Sequence, residues 1–256
     1  MQIIRYLDQD NQPRFGWVLD NMAGRIEGSP YESFRREPAD KPLADLKLLP
    51  PASPTKIICV GRNYVAHAQE HAAEVPDLPL LFLKPPSSVI GPGETIWLPP
   101  QSQRVEHEAE LAVVISKRGR WLDAERAPDF ILGYTIAMDI TARDLQRRDG
   151  QWTRGKGFDT FCPLGPWIET EFDPSDALIT CTVNGELRQM GSTRDMVFRV
   201  RQLVAYASSV MTLEPGDLLL TGTPAGVGPL ADGDELVVSI EGLGELRNPV
   251  KAEAAH

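Results

Sequence analysis

The sequence is short of sulfur, of long apolar runs and of positive charge, and each shortage removes a class of protein. Three cysteines, Cys59, Cys162 and Cys181, are spread over 256 residues with no Cys-x-x-Cys pair. An odd, scattered set encodes neither a disulfide framework nor a zinc ribbon and fits a reducing cytoplasm. No apolar stretch approaches the roughly 18 residues that a membrane-spanning helix requires. The start, MQIIRYLDQD, lacks the basic-then-apolar order of a secretory leader. Lysine and arginine number 26 against 36 aspartates and glutamates, net −10, with no basic run suited to a phosphate backbone. The expectation is a cytoplasmic chain that engages a small molecule or metal, not a membrane or nucleic acid.

What is present is mostly strand signal. Residues 1–28 alternate apolar stretches with turn residues and read as a small β-meander, and the proline-rich LLPPASPT at 48–55 sets a boundary near residue 53. The expected organisation is a small amino-terminal β domain, 1–53, and a larger domain, 54–256. In the larger part KIICV, PLLFLK, ELAVVI, FILGYTIAMDI, ALITCTVNG, DLLLTG and DELVVSIEG predict strands. Helices are predicted at 65–75, stopping before Pro76, and at 198–211. The fold class is mixed α/β and β-dominated.

The strongest chemical signal is VEHEAELAVVI. Read as a strand, it puts Glu106, Glu108 and Glu110 on one face and Ala109, Leu111, Val113 and Ile115 on the other. An exposed polar edge accounts for this segment equally well on its own. In FILGYTIAMDIT the even positions from Phe130 to Ile140 form an apolar face, and Asp139 ends the opposite one; a carboxylate there needs a partner. Glu108, Glu110 and Asp139 together make an all-oxygen donor set suited to Mg²⁺ or Mn²⁺. His107 points the other way.

His67 and Glu70 stand three apart on one helical face, a spacing that lets a carboxylate orient a general base, although a solvated face is the commoner meaning. His71 is a weaker candidate of the same kind. GQWTRGKG at 150–157 imitates a phosphate loop, but Gly157 stands where Ser or Thr is required; GVGPLA at 226–231 imitates a dinucleotide fingerprint, but a strand follows it. Lys156 remains informative, in a glycine-flanked loop that a ligand can approach closely.

Seven segments in register, VGRNYVAH, LFLKPPSSVIGPG, HEAELAVVI, GYTIAMDITARDLQ, GKGFDTFCPLGP, VNGELRQMGSTRDMVF and LLTGTPAGVG, resemble the fumarylacetoacetate hydrolase family. The resemblance implies a β-roll catalytic domain, usually a homodimer, with a metal held by Glu108, Glu110 and Asp139. It implies a water-activating pair, His67 and Glu70, on a short helix that closes over substrate. Lys156, Arg143 and Gln146 correspond to residues that hold the oxo-acid end, Thr223 to a threonine near the ligand, and Arg62 to a pocket residue. The implied activity is divalent-metal hydrolysis of a C–C bond in 2,4-dioxo acids. Its rivals are isomerisation of 2-hydroxyhepta-2,4-diene-1,7-dioate, oxaloacetate-type decarboxylation on the same site, and a non-catalytic domain that binds metal and an organic acid.

Overall fold

The computed structural model describes residues 1–70 and 72–254. A 13-stranded sheet forms its spine. At one end lie Phe34–Arg36, Met22–Gly28, Pro13–Leu19 and Gln2–Leu7; the sheet continues through Cys162–Glu169, Ile131–Met138, Ala109–Ile115, Leu218–Leu220 and Ile57–Gly61 to Leu80–Lys84. The amino-terminal meander therefore extends the main sheet, with Gln2 opposite Glu169. A five-stranded sheet, Ile96–Leu98, Gly244–Ala252, Glu235–Ile240, Leu178–Val183 and Glu186–Ser192, packs over one face.

Apolar runs produce this layering because the central strands are covered on both sides. Leu111, Val113, Ile115, Ile136 and Met138 pack with Ile179, Val238, Leu246 and the helix residues Leu203 and Ala207. Ala112, Val114, Ala137, Leu218 and Leu220 pack on the other side with Ile3, Ile57 and Leu164. Burial is unbroken from Val105 to Ile115, which excludes an exposed polar edge. Among the described residues no helix is long and apolar enough to cross a membrane.

The seven strands expected after residue 55 form, as does the second helix at Val200–Val210. The first helix is shorter than its alanines suggest: Val65–Glu70 is helical, and Ala72, at φ 51°, has left it. His71 lies outside the described residues. The even-position face of FILGYTIAMDIT also needs correction at its start. The ladder shifts register between Val114 and Ile115, which sends Leu132 to the opposite face from Tyr134, Ile136 and Met138. Strand Cys162–Glu169 was hidden by prolines 163 and 166, residues that ordinarily argue against a strand interior.

A parallel pair joins Leu218–Leu220 to Ile57–Gly61, so both carboxyl ends deliver their following loops to the same place. Asp217, fully buried, fixes that pairing. One carboxylate oxygen accepts from Thr55 N at 3.1 Å, Thr55 Oγ1 at 2.7 Å and Lys56 N at 3.2 Å; the other accepts from Glu214 N at 2.7 Å and from Lys56 Nζ. Asp217→Ala strands these donors and is expected to cost roughly 3–5 kcal/mol, the usual loss when one partner of a buried ionic network is removed. The check is a lower urea midpoint at unchanged m-value; an unshifted midpoint refutes the role.

Candidate active site

The ladder between Ala109–Ile115 and Ile131–Met138 builds the acidic centre. Ala109 faces Met138 and Glu110 faces Ala137, and one step further the Asp139 N–H donates to the Glu108 carbonyl at 2.8 Å. Glu110 and Asp139 thus emerge on the same side of adjacent strands, with Glu108 at the strand's end. One oxygen from each of the three lies within 4.8 Å of the others, and all three side chains are buried.

Three buried cations converge on these carboxylates from elsewhere in the chain. Lys156, from the short helix Thr153–Lys156, donates to Glu108 Oε2 at 2.8 Å and to Asp139 Oδ2 at 2.5 Å. Arg143, opening the helix Arg143–Asp149, donates to the other Glu108 oxygen, to Glu106 Oε2 at 2.7 Å and to Gln146 Oε1 at 2.7 Å. Lys84, wholly buried, donates to Asp139 Oδ1 at 2.6 Å and to the Ile140 carbonyl at 3.1 Å. Lys84 and Glu106 did not figure among the expected site residues. The available signal for Lys84 was a lysine closing an apolar strand immediately before two prolines.

Four buried carboxylates, Glu106, Glu108, Glu110 and Asp139, thus meet three buried cations. Among the described residues no cation bonds to Glu110: the Gly222 N–H at 2.7 Å is its hydrogen-bond donor. Burial, with Asp139 and Glu108 adding repulsion, pushes its carboxyl well above the usual range. For Glu108 burial works in the same direction, but Lys156 and Arg143 outweigh it and hold the carboxyl well below. Burial alone would lower Lys156, yet Asp139 and Glu108 raise it, so it stays an ammonium. An under-neutralised, all-oxygen pocket of three convergent carboxylates fits a hard divalent cation. Among the described residues the cluster contains no imidazole or thiolate, and an all-carboxylate set disfavours zinc.

A cavity of about 300 Å³ opens over the cluster. Its wall brings together Arg62, His67, Glu108, Glu110, Asp139, Arg143, Gln146, Lys156 and Thr223. Phe82 and Trp152 add an aromatic side, edge to face with centroids 5.1 Å apart. His67 is buried, and burial is the main force lowering its pKa, which leaves a neutral imidazole at pH 7. Its Nδ1 lies 3.6 Å from Glu70 Oε2, and Glu70 is itself anchored by the Gly226 N–H at 3.2 Å.

Thr223 is placed at the cavity, but its hydroxyl is committed. Oγ1 donates to the Ala109 carbonyl at 2.9 Å and accepts from Gln189 Nε2 at 2.7 Å. Gln189 is fully buried and ties three segments together: its amide also donates to the Pro224 carbonyl at 2.8 Å, and its oxygen accepts from Ala109 N at 3.1 Å. His107 faces away from the acids, with Nδ1 3.0 Å from the same Gln189 oxygen. Nothing in the strand pattern of VNGELRQM singles out Gln189, because its role arises only when three distant segments pack together.

Two family models match the chain: fumarylacetoacetate (FAA) hydrolase C-terminal over residues 56–251, and Rv2993c-like, N-terminal, over residues 1–51. The crystal structure of 2-hydroxyhepta-2,4-diene-1,7-dioate isomerase from Mycobacterium marinum superposes with a TM-score of 0.92 at 44% identity, covering 100% of both chains. Maleylpyruvate hydrolase from Sphingobium sp. SYK-6, solved with manganese(II) and pyruvate, gives a TM-score of 0.81 at 33% identity, covering 99% of this chain and 100% of that one. The human mitochondrial oxaloacetate tautomerase FAHD2A is 48% identical over 215 residues, 79% of this chain and 68% of the human protein. The chain belongs to the fumarylacetoacetate hydrolase family.

Proposed function

We propose that the protein is a divalent-metal-dependent hydrolase that cleaves the C3–C4 bond of 2,4-dioxo acids. The observation that carries the reading is the placement of a buried, neutral imidazole, His67, on the wall of the same cavity as three convergent carboxylates and a buried ammonium. Glu108, Glu110 and Asp139 would hold a Mg²⁺ or Mn²⁺ ion, which would supply Lewis acidity toward a bound 2-oxo acid. The protein groups do the rest.

Lys156, itself buried, presents fixed positive charge where an enolate develops as the bond breaks. Arg143 and Gln146 are locked to each other and turn a rigid donor surface toward the oxo-acid end. Neutral His67 takes a proton from water that attacks the distal carbonyl, and Glu70, held by Gly226, steadies the imidazolium that results. The 2-oxo half leaves as an enolate that is protonated to pyruvate when the acid is an acylpyruvate, and the acyl half leaves as a carboxylate.

A second reading has its own support. If water is kept out no C–C bond breaks: His67 takes a proton from the substrate's own enol hydroxyl or C3, the enolate so formed is reprotonated at the other atom, and the net reaction is keto–enol tautomerisation; the 48% identity to an oxaloacetate tautomerase favours this use of the site. Assaying both reactions in parallel separates them. With Mg²⁺, pyruvate release from acetylpyruvate is expected to exceed the metal-only background, and His67→Ala is expected to cut kcat by about 10²–10⁴-fold, the usual contribution of general-base catalysis. Oxaloacetate tautomerisation without pyruvate release from any acylpyruvate assigns the second reading instead. Release unaffected by His67→Ala removes the base.

The elevated Glu110 carboxyl gives a separate expectation. The folded, ion-free protein holds a proton there that the unfolded chain has lost, so stability declines as pH rises until it passes the folded pKa. Ion binding requires the carboxylate and abolishes that slope. The melting temperature without metal is therefore expected to fall, as pH rises above the ordinary carboxyl range, more steeply than with saturating Mg²⁺. Calorimetry in two buffers of different ionisation enthalpy is expected to show net proton release on Mg²⁺ uptake. Parallel pH slopes and no proton release would refute the link between Glu110 and the ion.

A further inference from the structure

We infer that Glu106, a buried carboxylate that the proposed reaction does not use, is the positioning residue that aims the N–H donors of Arg143 and Gln146 at the oxo-acid end of the substrate. The role rests on the reading of the cavity as a 2-oxo-acid site, and it names the group behind the wall that makes this end of the cavity a donor surface.

Glu106 is 1% exposed and stands on the short strand Val105–His107, outside the set of residues that line the cavity. Each of its oxygens takes one guanidinium Nε–H, Oε1 from Arg104 at 2.6 Å and Oε2 from Arg143 at 2.7 Å. Backbone pairing brings these groups together before any charge acts. Val105 lies opposite Ala142 and Glu106 opposite Thr141, and the Arg143 N–H donates to the Arg104 carbonyl at 2.8 Å. Asp144 fastens the preceding turn, accepting from Ser102 Oγ at 2.6 Å and from Gln103 N at 2.9 Å. The segment and the helix start are therefore already joined without the Glu106 carboxylate. Burying a carboxylate is costly, so a tie that the backbone and Asp144 already supply gives no reason to keep it there.

What Glu106 fixes is the rotation of a planar group. A guanidinium carries five N–H donors in one rigid plane, and once Nε is held the directions of both terminal nitrogens are set. In Arg143, Nη2 donates to Glu108 Oε1 and Nη1 to Gln146 Oε1 at 2.7 Å. Among the described residues these bonds use three of the five donors and leave one on each terminal nitrogen. The bond to Gln146 then decides which way that amide faces. Turned over, its NH₂ would meet the Nη1 donor, so the oxygen stays with Arg143 and the NH₂ is left for a ligand. Both residues line the cavity, and both present it with N–H donors. A carboxylate beside a 2-oxo oxygen offers only acceptors, which is the matching set. Without an acceptor at Nε the guanidinium loses one of its three fixed points, and the Gln146 amide loses the partner that holds its orientation.

The test reads binding of pyruvate, by titration calorimetry on the full chain at Mg²⁺ saturating for each variant. Glu106→Met removes the acceptor and is expected to weaken binding about tenfold or more, the usual value of a charge-assisted hydrogen bond. Glu106→Gln loses the charge but keeps one oxygen for Arg143 Nε, since the Arg104 side chain, 54% exposed, can turn to solvent. Its affinity is expected to stay within about threefold of wild type. In an Arg143→Gln background Glu106→Met is expected to add nothing, the signature of action through that arginine. In whichever reaction the wild type catalyses, the loss is expected in KM rather than kcat, because the carboxylate end is bound alike in substrate and transition state. Should Glu106→Met not fold, Glu106→Asp takes its place, with the charge kept, the reach one methylene shorter and the same loss expected. Wild-type affinity in the Met variant, equal loss in the Gln and Met variants, or a loss additive with Arg143→Gln overturns the positioning role and leaves the 2-oxo-acid site standing. Abolished Mg²⁺ uptake in the Met variant places Glu106 with the ion and also overturns it. If the Mg²⁺-loaded wild type binds no pyruvate, the 2-oxo-acid site fails and the role falls with it.

Discussion

Everything at the cavity depends on one electrostatic constraint: carboxylates from two adjacent strands are buried together and must be neutralised from a distance. Taking such groups out of water is costly, and attraction to a counter-charge recovers the cost only when geometry is close and every remaining lone pair is used. The chain meets this with cations from three other elements, Lys84 from the strand Leu80–Lys84, Arg143 from the helix that follows Asp139, and Lys156 from the next helix. These elements can close only around the acids, so the charge cluster specifies their arrangement as much as apolar packing does. Glu110, which among the described residues bonds to no cation, is where the arrangement leaves negative charge uncompensated, and a divalent ion would fit there.

The loops over the cluster are held by interactions that do not themselves touch it. Asp217 fixes the parallel pairing of Leu218–Leu220 with Ile57–Gly61, and Asn63 then joins the two loops that follow, through the Thr221 carbonyl. Gly222, at φ 93°, lies where a Cβ would come 2.9 Å from the Asn63 Cβ, so the residue that donates its N–H to Glu110 has to be glycine. Gln189 reaches the same loop from the five-stranded sheet, so both sheets brace the cavity. Rigid placement of this kind is what electrostatic catalysis requires, since donors already in position need no reorganisation when charge develops.

Much of this was legible in the sequence because two periodicities are strong. Alternation in VEHEAELAVVI put Glu108 and Glu110 on one face, and the same rule placed Asp139 at the end of its own strand. The strand runs KIICV, PLLFLK and DLLLTG stand out because strands covered on both faces read as continuous apolar runs. What stayed hidden has physical reasons. Lys84 reads as an ordinary charged strand end until Asp139 is beside it. Leu132 follows the alternation on paper, but an irregular ladder reverses its side. The first helix looked longer because alanine favours helix at every position; the left-handed turn at Ala72 is a tertiary choice that propensity does not encode. Strand Cys162–Glu169 carries prolines that local rules assign to turns, yet it pairs on both edges, with Ile131–Met138 and with Gln2–Leu7.

The division of labour within the cavity also explains why one family can host several reactions. On the proposed reading the buried half, carboxylates and ammonium, stabilises the enolate of a 2-oxo acid, a step common to hydrolysis, decarboxylation and tautomerisation. What differs is the fate of the enolate, and that is set by the half of the cavity nearer solvent. His67 lies between these halves: it shares the cavity with the acids, and its carboxylate partner Glu70 is fastened to Gly226, at the edge of the loop that Gln189 braces. On that reading reaction type diverges through cavity residues outside the cluster, such as Arg62, Trp152 and Arg147, while Glu108, Asp139 and Lys156 are held by their mutual ion pairs and Glu110 by the Gly222 N–H.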